Sequence, residues 1–155
     1  MDFVYALLGN KIIFGTLTTV LIAQLLKVLY LFFTTGNLDT SFFFSSSGMP
    51  SGHSAGITSL ATLIGFAQGF GSAVFALAFG MAIVIMYDAM GVRQQAGNHA
   101  KMLNYLLDRY TLYSNEEEDA HHYLPERIGH TSVQVIGGAL TGIFCAISWF
   151  LLFGV

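Results

Sequence analysis

Four long apolar runs, joined by short connections rich in glycine or serine, set the plan of this chain. Ile12 to Phe33 is a run of 22 residues with a single charge, Lys27, and a helix needs about 20 apolar residues to cross a bilayer. His53 to Phe70 and Ser72 to Met90 follow, parted only by the turn Gly69-Phe70-Gly71, and so predict a tight helical hairpin. Gly56, Gly65 and Gly80, with many alanines and serines, suit close helix packing in lipid. Thr131 to Gly154 is the last run. At the end of the third run begins a polar, glycine-bearing stretch, Asp88 to His99. In Ala100 to Tyr113 apolar residues recur at Met102, Leu103, Leu106, Leu107 and Tyr110. That spacing predicts an amphipathic helix lying on the membrane or packed under the bundle. The connection after the first run carries Phe42-Phe43-Phe44, aromatic residues that suit a lipid interface. The expected fold is therefore all-α: a membrane-embedded helical bundle of about four transmembrane helices plus one amphipathic interfacial helix. It forms a single domain over 1–155, with spans at about 12–33, 53–70, 72–90 and 131–154.

Composition agrees. The chain is 54% hydrophobic and 10% charged, where soluble proteins carry about 25% charged residues, and its mean hydropathy is +0.64. It is expected in the cell membrane. The net charge of −3 comes mostly from one run, Glu116 to Asp119, and argues against nucleic acid as a partner. That run is followed by His121 and His122. It is read as a solvated loop rather than a metal site. Cys145 is the one cysteine, which excludes an intrachain disulfide and a cysteine-based zinc site.

Counting crossings brings the chemistry together. His53, Asp88, Arg93, His99 and His130 all fall on one face of the expected membrane. Lys27 lies six residues before the end of its run, about 9 Å below that face at ~1.5 Å per residue, within snorkelling reach. The turn Gly48-Met49-Pro50-Ser51-Gly52-His53-Ser54 opens the second helix there. Pro50 blocks helix before it and Ser51 is a good N-cap. Ser51 and Gly52 let the backbone approach a bound group, and first-turn N–H groups suit an oxyanion such as phosphate. His53 is placed to pass a proton to a leaving group. Lys101, Arg109 and Arg127 lie on this face against Lys11 on the other, so the positive-inside rule points the face to the cytoplasm.

Met49-Pro50-Ser51-Gly52-His53-Ser54 resembles the P-S-G-H signature of the phosphatidic acid phosphatase type 2 superfamily, which includes the vanadium-dependent haloperoxidases. Tyr87-Asp88-Ala89-Met90-Gly91-Val92-Arg93 with Gln95-Ala96-Gly97, and Gly129-His130 with Val135, Gly138 and Leu140-Thr141-Gly142, resemble its divergent bacterial and plant branch. That branch is described as acid phosphatase/vanadium-dependent haloperoxidase-related. The resemblance implies that Lys27 and Arg93 bind phosphate and that His53 is the general acid. No Arg-Pro follows Lys27 at the superfamily's spacing. For the nucleophile two alignments compete. Arg93 and His99 have the usual Arg-x5-His spacing, but Leu103 stands where the orienting Asp belongs. The alternative, preferred here, makes His130 the nucleophile with Gln134 in place of that Asp. An amide orients an imidazole but does not stabilise an imidazolium by charge.

The activity so implied is hydrolysis of a lipid phosphate or prenyl pyrophosphate through a phosphohistidine. The expected catalytic groups are His130, His53 and Gln134. Lys27, Arg93, Ser51 and Gly52 are expected to hold phosphate, with Asp88 and His99 as further candidates. No cofactor and no metal are implied. The expected partners are the bilayer and its lipid phosphate; assembly with other copies of the chain is left open. The rival reading is a non-catalytic membrane protein that binds a phosphate or lipid headgroup, and Gln134 and the missing Arg-Pro favour it.

Overall fold

The computed structural model describes residues 7–36, 47–114, 123–126 and 128–155, with Tyr5 and Phe43 besides. The expectations made for Phe42, Phe44, the acidic run 116–119, His121, His122 and Arg127 lie outside the described residues.

Five helices account for most of the described chain. Helix α1, Lys11–Thr35, is capped by Asn10, whose side chain accepts from the N–H groups of Ile12 and Ile13. It ends at Gly36, in the left-handed region (φ 72°) that glycine enters without a Cβ clash. Helix α2, Gly52–Gln68, is capped by Ser51, and α3, Ala73–Met90, by Ser72. Helix α4 is Val92–Ser114. Helix α5, Ser132–Phe153, opens with a reciprocal capping box between Thr131 and Gln134.

The amphipathic helix expected from Ala100 begins earlier, at Val92. Helix α3 runs through Asp88 to Met90, Gly91 alone breaks the helix (φ −99°, ψ −96°), and α4 starts at once. Arg93, Gln94, Gln95 and Ala96 are good helix formers, and their polarity conceals that in a hydropathy reading. Gly97 stays inside α4 because the chain returns across it: a Cβ there would meet the Ile128 carbonyl oxygen at 2.6 Å.

Contacts fix the register of the bundle. Along α1 and α2, Gly15 faces Leu63, Thr19 Oγ1 and Ser59 Oγ share a hydrogen bond of 2.9 Å, Val20 faces Gly56 and Gln24 faces Gly52. The two helices are antiparallel. Helix α5 runs parallel to α2. Gly138 packs on Ser51, Gly142 packs on Ala55 and Thr58, and Phe66 stacks on Phe150 with centroids 4.4 Å apart. At the far end Lys11 Nζ donates to the Phe153 carbonyl at 2.8 Å. So α2 runs at the centre of the bundle, through the same depth as α1 and α5.

The core is built of small residues: Ala23, Ala55, Ala61, Ala78, Ala82 and Ala146 are buried, while Leu21, Leu77, Phe79, Leu140 and Phe144 face outward. That inverts a water-soluble bundle and matches helices packed in lipid. By length and composition three stretches are able to cross a membrane: α1, α5, and Ala73–Arg109, which holds α3 and most of α4. Helix α2 has 17 residues. The protein is an all-helical membrane bundle.

Candidate active site

The start of α2, the end of α3 and the start of α5 meet at one end of the bundle. Ser51 N–H donates to the Gln134 carbonyl at 3.0 Å, and His130 N–H donates to the Ala89 carbonyl at 3.0 Å. Gly129, with φ 85°, lies directly on the backbone of Arg93 and Gln94, where no Cβ fits. Helix α1 passes this level eight residues before its end. The Lys27 methylene chain lies against Gly48, whose Cβ would sit 3.1 Å from it.

His53 and His130 face each other across this rim, with ring centroids 6.1 Å apart. His130 is 2% exposed. Its Nδ1 lies 3.3 Å from Gln134 Oε1, which also accepts the Thr131 N–H at 3.0 Å. An N–H only donates, so the Gln134 atom facing Thr131 is the amide oxygen, and that oxygen takes a proton from Nδ1 as well. The neutral imidazole is thereby held as the Nδ1–H tautomer. Its Nε2 keeps a lone pair, buried and without a hydrogen-bond partner among the described residues. Burial pushes the His130 pKa below the ordinary histidine value. The Gln134 hydrogen bond and the Gly48 backbone oppose that shift, and the charges of His53 and Lys27 reinforce it. A buried, neutral, oriented imidazole is a nucleophile in form.

Two clefts meet at His53. One, of about 230 Å³, is lined by Val20, Gln24, Lys27, Gly52 and Gly56 with His53. The other, of about 340 Å³, is lined by Val84, Ile85, Asp88, Ala89 and Arg93 with His53. Lys27 is 2% exposed, a cation sunk into the bundle wall. Arg93 donates through Nε to Asp88 Oδ2 at 2.7 Å. That bond occupies the inner nitrogen and leaves the two terminal nitrogens as a fork for oxyanion oxygens.

The first turn of α2 divides its N–H groups. Ser51 N–H goes to Gln134, Ser54 N–H to Ser51 Oγ, and Ala55 N–H to the Ser51 carbonyl. The N–H groups of Gly52 and His53 have no acceptor among the described residues, and they stand where an anion is received. Ser51 is fully buried, and its hydroxyl also accepts from Ser54 Oγ at 3.1 Å. It holds the turn.

On the other side of His130 is a polar chamber of about 530 Å³, lined by Gln94, Asn98, Lys101, Glu126 and Gln134 among others. His99 stands exposed on the outer side of α4 and lines none of these cavities. Sequence reasoning missed Gln24, whose buried Oε1 has no partner among the described residues. The signal was there: a polar side chain one turn before Lys27 in an otherwise apolar run. Among the described residues no three His, Cys, Asp or Glu side chains gather as a metal site.

Fold and rim together define a helical integral membrane protein with paired histidines and two cations at one end. The chain belongs to the Divergent PAP2 family, which matches residues 8–145. It is 36% identical, over 145 residues, to the uncharacterized membrane protein YuiD of Bacillus subtilis (strain 168), covering 88% of this chain and 92% of that protein. No solved structure matches it.

Proposed function

We propose that the protein is a membrane phosphatase that cleaves a lipid phosphate or prenyl pyrophosphate at this rim, as a single domain crossing the membrane four times. The observation that carries the reading is the His130 ring, held through Nδ1 by Gln134 with its buried Nε2 unpartnered among the described residues and its centroid 6.1 Å from that of His53. In the first step Nε2 attacks phosphorus. The N–P bond forms, the bond to the leaving oxygen breaks, and protonated His53 gives that oxygen its proton. In the second step water attacks phosphorus, the N–P bond breaks, His53 takes the water proton, and phosphate leaves. Lys27, the Arg93 fork and the N–H groups of Gly52 and His53 carry the charge of the equatorial oxygens. The clefts at His53 have apolar flanks from Val20, Val84 and Ile85, which suits a lipid, and the polar chamber suits water entry and phosphate exit.

A second reading is a binding protein for a phosphate or lipid headgroup without turnover. The amide of Gln134, where a carboxylate would better support an imidazolium, favours it. Phosphate release by purified protein in vesicles, on phosphatidic acid and on a prenyl pyrophosphate, separates the two. Turnover that persists in chelator, and is abolished in His130→Ala, supports the phosphatase. Binding of vanadate or lipid phosphate without any release leaves the binder.

A further inference from the structure

We propose that α4 is a membrane-surface helix: its apolar stripe lies in the headgroup layer of the bilayer, and that seating holds Arg93 at the rim. At about 100° per residue, Val92, Ala96, His99, Leu103 and Leu106 fall within an arc of about 80°, and Met102 widens it to about 120°. The stripe is open. Val92 is 70% exposed, Leu103 48% and Leu106 53%.

The neighbouring face of α4 is taken by the returning chain. Asn104, 4% exposed, donates to the Leu124 carbonyl at 2.9 Å and to Glu126 Oε1 at 2.8 Å, and accepts the Leu124 N–H at 2.9 Å. Gly97 lies under Ile128 on the same side. Among the described helices α4 touches only α3.

Continuity identifies the occupant. Only Gly91 separates α4 from α3, whose last outward residues, Val84 and Tyr87, are 63% and 72% exposed where the bundle meets lipid. The stripe begins at Val92, five residues after Tyr87. Arg93 and Arg109 fall on its two flanks, about 100° to either side of its centre, and long cationic side chains there reach headgroups. Arg109 also donates to Tyr105 Oη at 3.1 Å, an amphipathic pair suited to that layer. A second copy fits less well. A two-stranded seam is narrower than this stripe and would bury His99 near its middle.

Arg93 sits in the first turn of α4, just past the Gly91 break, so the bed of α4 sets where its guanidinium stands. This consequence rests on the reading of Arg93 as a phosphate ligand; the seating itself does not.

The test uses the full chain in vesicles of phosphatidylcholine and phosphatidylglycerol, in a Cys145→Ala background. Leu103→Cys, Leu106→Cys, Asn98→Cys and Lys101→Cys are each labelled with an environment-sensitive fluorophore. The stripe sites are expected to be blue-shifted and quenched by a shallow lipid-borne nitroxide, while Asn98→Cys and Lys101→Cys are quenched by aqueous iodide. Equal iodide quenching at all four sites overturns the proposal. So do stripe labels shielded from both quenchers that transfer energy between copies, which assigns the stripe to a second chain. Leu103→Asp with Leu106→Asp is expected to raise KM on vesicle-borne lipid phosphate about tenfold; an unchanged KM overturns the link to Arg93. Lipid quenching at the stripe with no phosphate release by the wild type overturns the phosphatase reading and leaves the seating standing.

Discussion

Gln134 is the residue on which the chemistry of the rim turns. Its side-chain oxygen receives Nδ1–H of His130 and the Thr131 N–H, and its carbonyl receives the Ser51 N–H. Gln134→Ala keeps the carbonyl and removes both side-chain bonds. A neutral hydrogen bond contributes about 0.5–1.5 kcal/mol, and one to a charged group about 1.5–3 kcal/mol. The Nδ1–H bond passes from the first class to the second as His130 gains positive character at phosphorus. Both states lose the bond, so only the difference, about 1–1.5 kcal/mol, bears on kcat, which is expected to fall roughly 5- to 13-fold. Loss of the Gln134 half of the capping box, one neutral hydrogen bond, lowers stability by about 0.5–1.5 kcal/mol. Gln134→Glu keeps both acceptors and adds charge, so on the plateau above its acid limb kcat is expected to hold or to rise up to about tenfold.

The pH profile gives a second readout. Attack needs neutral His130, so activity disappears as pH falls through its folded pKa. Burial lowers that pKa, which puts the wild-type acid limb below the ordinary histidine value of about 6.5. A carboxylate at 134 raises the pKa and moves the limb to higher pH. The assay is phosphate release from lipid phosphate across pH, with unfolding followed in parallel. Gln134→Ala with unchanged kcat, or Gln134→Glu with an unmoved acid limb, would refute the reasoning.

Three further outcomes are expected. Gly142→Val drives side-chain atoms into the Ala55 carbonyl and Thr58; overpacking costs about 1–3 kcal/mol, and the unfolding midpoint in detergent, read from the fluorescence of Trp149, should drop. Asp88→Asn removes a half-exposed ion pair that contributes under about 1 kcal/mol to stability, so the midpoint should stay while KM rises about tenfold as the Arg93 fork loosens. His130→Ala should abolish phosphate release while His99→Ala retains it within about threefold; the reverse result would move the nucleophile to α4.

Much of the fold was legible because lipid simplifies the code. A spanning helix announces itself by length and apolarity, and Asn10, Ser51, Ser72 and Thr131 mark starts by capping chemistry that does not depend on tertiary contacts. Helix α4 was half hidden. The apolar spacing that marks it as a helix is clear only from Ala100 on, and the close approach at Gly97 comes from a segment some 30 residues on. At the rim, P-S-G-H marked the turn, but the division of labour within it depends on partners. Ser51 N–H bonds to the Gln134 carbonyl and its hydroxyl accepts from Ser54, while the N–H groups of Gly52 and His53 have no acceptor among the described residues. No spacing rule shows that Gln24 and Lys27 share a cleft with His53, because that needs the antiparallel register of α1 and α2.

The amide at 134 and the carboxylate at 88 are best understood together. Beside a 2%-exposed imidazole, a carboxylate would carry a desolvation cost that only a charged His130 offsets. Such a pair would favour the imidazolium, which is not a nucleophile. Gln134 fixes the same tautomer without that bias, so on the proposed reading His130 stays neutral and ready, at the cost of weaker support if it takes up the phosphoryl group. The negative charge stands instead at Asp88, half exposed, in the cleft with His53 and bonded to Arg93. On the proposed reading it would favour a proton on His53 and aim the Arg93 guanidinium. The rim thus separates a dry nucleophilic side at His130 from a wetter charged side at His53, and phosphoryl transfer through a histidine needs that polarity.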